Sequence, residues 1–137
     1  MIAGSEHAAV LAALHADAFP DNPWQEADFL TLLGQSGTAG FIDEEGGFLL
    51  LRLVADEAEI LTIGVTKRRK GIATGLMVAG IDYLKAREVS ILHLEVAATN
   101  IAARRFYEKL GFTQIGLRRN YYEGAIDALL LSLRIGA

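Results

Sequence analysis

The run Ile60-Leu61-Thr62-Ile63-Gly64-Val65-Thr66-Lys67-Arg68-Arg69-Lys70-Gly71-Ile72-Ala73-Thr74-Gly75-Leu76-Met77 commits this chain to one architecture. Ile60 to Val65 is mostly apolar and rich in β-branched residues, the pattern of a strand. Lys67, Arg68, Arg69 and Lys70 follow as four consecutive cations. Gly71 then frees the backbone to turn, and a helix begins. A helix N-terminus has unpaired amides and a partial positive charge. Strand, basic loop and glycine-opened helix therefore predict a pyrophosphate cradle. Two familiar phosphate loops do not fit. A P-loop needs Lys-Ser or Lys-Thr after its second glycine, and the segment from Gly71 to Gly75 offers neither. A dinucleotide fingerprint needs glycines at the first, third and sixth places directly after the strand. Here Ala73 holds the third place, and Thr66 to Lys70 intervene.

Ala58 to Val65, a helix over 72–87 and Ile91 to Val96 form a strand–helix–strand unit. Such a crossover joins parallel strands, and ligands bind at the carboxyl ends of those strands. Val65 and Val96 stand there, so the basic loop and Glu95 converge. Along Ile91–Val96 the period is two, which puts Glu95 on one face with Ile91 and His93, opposite Leu92, Leu94 and Val96. A carboxylate near the end of a central strand is unusual for packing. It reads either as half of an ion pair, with Arg104 or Arg105, or as a general base. A base there would take a proton from an incoming ammonium, directly or through water. His93 reads as a packed residue, or as one that tunes Glu95.

The next helix, Ile101 to Leu110, carries Ala103 and Tyr107 on one face with Asn100 at its start. Asn100 reads as the helix cap or as a contact to a cofactor arm. Tyr107 reads as core, needing a partner for its hydroxyl, or as the acid that protonates a departing thiolate.

Two motifs carry a resemblance. Arg68-x-x-Gly71-x-Ala73 resembles the acetyl-CoA loop of the GNAT superfamily of N-acetyltransferases. Asn100-Ile101-Ala102-Ala103-Arg104-Arg105-Phe106-Tyr107-Glu108-Lys109-Leu110-Gly111-Phe112 resembles that superfamily's second motif, one strand further on. Leu94-Glu95-Val96, Arg118-Arg119-Asn120-Tyr121-Tyr122, and Phe19-Pro20 with Trp24 are similar to the RimI-type enzymes, which acetylate the N-terminal alanine of a ribosomal protein. The resemblance spans roughly residues 10–135. It implies a mixed, mostly antiparallel α/β sheet with a parallel β-α-β acetyl-CoA unit and about four flanking helices. It implies acetyl-CoA as co-substrate, Glu95 as proton acceptor and Tyr107 as proton donor. Backbone at Ile63, Gly64 and Val65 would hold the pantetheine arm and polarise the thioester. Arg68, Arg69, Lys70, Gly71, Ile72, Ala73, Thr74, Gly75 and Leu76 would hold the pyrophosphate, with Asn100 and Ala103 beside the cofactor. Trp24, Tyr121 and Tyr122 are candidates to line a slot for an extended peptide. The aromatic turn departs from the family pattern by three extra residues, Asp21, Asn22 and Pro23. The first strand is shortened or lost, and the segment from Tyr122 to Asp127 is short. All three regions would border the acceptor. That leaves a protein N-terminus, a lysine or small-molecule amine, and a non-catalytic acetyl-CoA-binding domain as readings.

Composition agrees. A chain of 137 residues, 52% hydrophobic and 22% charged, is expected to form one domain over residues 1–137 with a real core. It has no cysteine, which excludes disulfides, thiolate metal sites and a cysteine acyl-enzyme. His7, His15 and His93 have no metal-ligand spacing with acids, so no metal is expected. Residues 1–66 hold 11 acids and one base, and residues 67–137 hold 12 bases and 6 acids. A basic second half suits a polyanionic cofactor. The acidic first half argues against nucleic acid and favours basic peptides. The start lacks the pattern of a signal peptide and no stretch approaches a membrane span, so the expected compartment is the cytoplasm.

Outside the central unit, residues 6–18 read as a helix capped by Ser5, with Ala8, Leu11, Leu14, His15 and Ala18 spaced for one face, and residues 25–34 as a second helix stopped by Gly34. Thr38–Asp43 and Gly47–Val54 read as a hairpin across Glu44-Glu45-Gly46. Thr113–Leu117 and Ala125–Arg134 read as the last strands.

Overall fold

The computed structural model describes residues 1–66, 71–122 and 125–136. The expected basic contacts Arg68, Arg69 and Lys70, together with Lys67, lie outside the described residues. In chain order the strands are β1 (Ile2–Ala3), β2 (Thr38–Asp43), β3 (Gly47–Val54), β4 (Glu57–Val65), β5 (Ile91–Ala97), β6 (Thr113–Tyr122) and β7 (Ile126–Arg134). The α-helices are α1 (Ala8–Ala18), α2 (Glu26–Leu33), α3 (Ile72–Ala86) and α4 (Ile101–Lys109).

Three differences from the sequence reading have local causes. Ser5 does not cap α1. It starts a 3-10 turn, Ser5–His7, in which the Gly4 amide donates to His7 Nδ1 at 3.0 Å. A first strand survives as the two-residue β1, paired with Phe41 and Gly40 of β2. The chain from Arg118 to Tyr122 is not a connector but the continuation of β6, with Arg118 opposite Ala128 and Tyr122 opposite Ile126. Four steps on β6 thus span two on β7, and this excess bulges β6 outward. Asn120 takes φ +53 there, its amide donating to Asp127 Oδ1 at 3.0 Å.

The sheet order is β1-β2-β3-β4-β5-β7-β6, and every neighbouring pair is antiparallel except β4 with β5. That parallel pair is joined only at Glu57–Ile91, Ala58–Leu92 and Glu59–His93. Beyond it, β4 follows β3 to Val65, and β5 follows β7 to Ala97. The sheet therefore splits into a V whose arms are the carboxyl halves of β4 and β5. A bulge starts the divergence: Leu50 pairs with Thr62 but Leu51 with Ile60, leaving Leu61 as the extra residue on β4.

Both sheet faces are covered over β3, so Phe48, Leu49, Leu50 and Leu51 are all buried, the continuous apolar run expected of a strand covered on both faces. Leu49 and Leu51 join Met77, Leu84, Leu92, Leu94 and Tyr107 under α3 and α4. Phe48 and Leu50 join Leu11 and Phe29 under α1 and α2. Gly80 lets α3 approach closely, since a Cβ there would meet Leu49 Cδ2 at 2.7 Å. Over β5 only one face is covered. Leu92, Leu94 and Val96 are buried, while Glu95 on the other face is exposed. The uncovered face is where the site lies.

Candidate active site

Glu95 opens onto a groove of about 620 Å³ whose lining includes Trp24, Arg52, Glu59, Leu61, His93, Tyr121 and Tyr122. The three aromatics expected around an acceptor thus meet in one groove with the expected base. Glu95 is the last acidic side chain on β5, and its carboxylate is about one-third exposed. Its ionic partner is not Arg104 or Arg105, which a sequence reading offers. It is Arg118 of β6, with Nη2 3.3 Å from Glu95 Oε1. Arg104 instead donates to the Ala98 carbonyl at 2.9 Å. Tyr122 lies near enough that its phenol is raised, first by burial and then by the Glu95 and Tyr121 charges. His93 does not contact Glu95. Its Nδ1 meets Ser132 Oγ of β7 and its Nε2 meets Glu57 Oε1 of β4 at 2.6 Å. It therefore stitches three strands together at the foot of the V.

Tyr107 comes from the other face. Its ring packs on Phe112 (5.5 Å between centroids) and Phe106 (5.3 Å), and only 6% of the residue is exposed. Burial pushes its phenol up to about 12, so it stays protonated at any ordinary pH. No partner for its hydroxyl occurs among the described residues. Asn100 caps α4 by accepting the Ala103 amide at its Oδ1, 3.2 Å away.

The arms of the V carry free backbone. Thr66 N–H donates to Gly46 O at 2.7 Å, and residues alternate direction along a strand. Gly64 and Thr66 thus address β3, whereas Ile63 and Val65 turn their peptide groups toward the cleft. At the mouth of the cleft Gly71 takes φ +97 and starts α3 with no side-chain cap. The leading amides of α3 therefore have no helical partner, and no side-chain cap among the described residues. Among the described residues, a Cβ at Gly71 or Gly75 would meet nothing within 4 Å. Ile72 and Leu76 bury their side chains in the core. Only their backbone is available to a ligand, while Ala73 and Thr74 are more open.

Trp24 is fixed in place by His15, which the sequence reading set aside only as lacking metal-ligand spacing. His15 is buried at 3% exposure. It accepts the Trp24 amide at Nδ1, 3.1 Å away, and stacks on the Trp24 ring at 5.0 Å. Burial lowers its pKa, so the ring is neutral. The sequence signal was its place in the α1 periodicity beside an aromatic turn. The splay of β4 from β5, the Leu61 bulge and the Arg118 pair had no such signal.

This geometry has known counterparts. The model of the acetyltransferase (GNAT) family matches residues 9–112. The chain belongs to the GNAT acetyltransferase family. A ribosomal protein bS18-alanine N-acetyltransferase of Escherichia coli K12 is 36% identical over 121 residues, covering 82% of each chain. A putative enzyme of the same description from Bacillus subtilis is 29% identical over 83% of this chain and 81% of its own. The crystal structure of the E. coli ribosomal-protein-S18-alanine N-acetyltransferase superposes with a TM-score of 0.89 at 30% identity, covering 100% of this chain and 94% of that one. Ard1 from Thermoplasma volcanium shares the fold at 23% identity, with a TM-score of 0.82 over 98% and 96% of the two chains. This GNAT chain is accordingly an acetyl-CoA-dependent N-acetyltransferase with the mixed α/β fold of its family. The open amides before α3 fit a pyrophosphate, and the free edge of β4 fits an amide-bearing arm. Among the described residues no cluster of three or more histidines, aspartates or glutamates could hold a metal ion. Among the described residues no helix is long and apolar enough to cross a membrane.

Proposed function

We propose that this GNAT enzyme acetylates the N-terminal α-amine of a protein, in the manner of the ribosomal-protein alanine enzymes it resembles, by direct attack on acetyl-CoA. One observation supports the mechanism: Glu95 stands on β5 just past the last β4–β5 pair, Glu59 with His93, and shares its groove with Trp24, Tyr121 and Tyr122. The attacking nitrogen enters from the Glu95 groove and bonds to the acetyl carbon. Glu95 takes the nitrogen's proton, directly or through water. The carbon–sulfur bond breaks, and Tyr107 gives its proton to the leaving sulfur. The Ile63 and Val65 amides hold the pantetheine arm and polarise the acetyl oxygen. The α3 start, with Arg68, Arg69 and Lys70, holds the pyrophosphate. With no cysteine in the chain, the acetyl group passes in one step.

The acceptor follows from proton affinity. An amine attacks only when neutral, and a free α-amine has a pKa of about 7.7–8.0 against about 10.4 for lysine. Near pH 7.5 roughly a third of the former is neutral, and on the order of one in a thousand of the latter. A carboxylate is a weak base, so the α-amine suits Glu95 better. Likeness to the bS18-alanine enzymes over most of both chains supports the same choice.

The test is a panel of peptides with free or blocked N-termini, with and without lysine. Free alanine-starting peptides should be the best substrates. Equal rates for blocked lysine peptides would overturn the α-amine assignment. Glu95→Gln and Tyr107→Phe should each lose about 10² to 10⁴-fold in turnover while still binding acetyl-CoA. Near-normal turnover in either variant would remove that residue from its role.

A further inference from the structure

The cation beside the base has no place in the mechanism above. Arg118 places Nη2 3.3 Å from Glu95 Oε1, and its Cζ lies 5.3 Å from the centroid of the Tyr121 ring. Both partners line the acceptor groove. The bulge in β6 follows directly after Arg118, where the register with β7 breaks. Asp127 anchors that bulge through the Asn120 amide. The Arg118 side chain is about half exposed, so it can swing, but at rest it is paired with the Glu95 carboxylate.

We propose that Arg118 is a charge filter for the acceptor: it penalises amines that arrive protonated and so confines the enzyme to acceptors of low proton affinity. This rests on the α-amine reading and names the residue that enforces it. An ammonium reaching Glu95 has two choices. It displaces the guanidinium and breaks the existing pair, or it sits beside it and meets a like charge at close range. A neutral amine does neither. It needs Glu95 only once its nitrogen has begun to bond, when the proton becomes acidic. The penalty falls on the protonated fraction, which is nearly all of a lysine and about two-thirds of an α-amine near pH 7.5. The surrounding charges do not cancel the effect. Glu59, which also lines the groove, is held by Arg52 Nε and Nη2 at 3.0 and 2.6 Å, and Glu57 by His93. Arg118 acts through Glu95 and through repulsion, so it is a positioning and specificity residue, not a catalytic one.

The experiment compares kcat/KM for two peptides of one sequence, one with a free N-terminus and norleucine for lysine, the other blocked and retaining lysine. Wild type, Arg118→Gln and Arg118→Lys are assayed from pH 6.5 to 9.5. In Arg118→Gln an ammonium can reach Glu95 and lose its proton there, so the preference for the α-amine should narrow by about 3- to 10-fold, through a lower KM for the lysine peptide at unchanged kcat. Arg118→Lys keeps the charge and should keep the preference. An equal loss on both peptides in Arg118→Gln, or the same behaviour in the glutamine and lysine variants, would overturn the filter. A series of small primary amines of graded pKa separates this from the α-amine reading. If wild type uses those amines rather than peptides, the α-amine reading fails. The filter then stands if log kcat/KM falls with amine pKa more steeply in wild type than in Arg118→Gln, and falls if the slopes agree.

Discussion

Tyr107 shows how one side chain's surroundings fix both its chemistry and its effect on stability. Its phenol is pushed from the ordinary 10 up to about 12 by burial. The folded protein therefore holds this proton more tightly than the unfolded chain does. The resulting stability is fully present below pH 10 and is lost as pH rises through 12. The size is about 3 kcal/mol. Urea midpoints should thus drop between pH 10 and 12 in wild type and drop distinctly less in Tyr107→Phe, with Tyr122→Phe as a control for the other raised phenol. Parallel curves for wild type and Tyr107→Phe would mean that this ring is not the buried group. Glu95 was legible in the sequence because strand alternation is strict: three apolar residues on one face left its carboxylate on the other. Arg118 was not, because its contact depends on how β6 registers on β7, where Gln114 faces Leu131 but Gly116 faces Leu130, a slip that no periodicity announces. Burial of His15 was legible from helix spacing, but its grip on Trp24 was not, since that bond joins a helix to a loop nine residues on.

The start of α3 and the turn after α1 were both visible as elements, the first from Gly71 after a basic run and the second from two prolines. Their boundaries came out within a residue or two because glycine and proline act on the backbone directly. What stayed illegible was how β4 and β5 part company, since pairing is a property of two strands at once. For α3, Gly71→Ala should cost about 1–2 kcal/mol, the penalty of a left-handed conformation with a side chain. If the α3 start is the pyrophosphate cradle, the substitution should also weaken acetyl-CoA binding about tenfold, because the strained turn misplaces the leading amides. Gly75→Ala sits in the helix proper and should stabilise the fold by about 0.5–1 kcal/mol. Urea unfolding and calorimetry measure both, and tighter or unchanged binding in Gly71→Ala would count against the cradle. For the aromatic turn, burial holds the His15 pKa below its ordinary 6.5. The folded state then binds this proton less readily than the unfolded chain, so stability is present above pH 6.5 and is lost as pH falls below it. His15→Gln keeps an acceptor for the Trp24 amide without the titration. Trp24 fluorescence should change on going from pH 7 to pH 5 in wild type and stay nearly constant in the variant.

The molecule as a unit is a sheet held shut on one side of a cleft and left open on the other. Glu57, His93 and Ser132 tie β4, β5 and β7 at the foot, and past Glu59 the two central strands share no ladder. An open pair of strand edges in the middle of a sheet is costly unless something fills it, and an extended arm bearing amides is a suitable filler. Binding should therefore stabilise the fold by mass action, by about 2.7 kcal/mol at a hundredfold excess over Kd. The sharper consequence is local. Gly64 and Thr66 already spend their amides on β3, whereas Ile63 and Val65 face the cleft. Hydrogen exchange read residue by residue should show Gly64 and Thr66 protected with or without ligand. Ile63 and Val65 should exchange fast in the free protein and slow by about tenfold or more with acetyl-CoA. The alternation is what discriminates, because a general tightening of the fold would slow all four amides together. Uniform slowing, or protection of Ile63 and Val65 in the free protein, would mean that the cleft is not the cofactor channel.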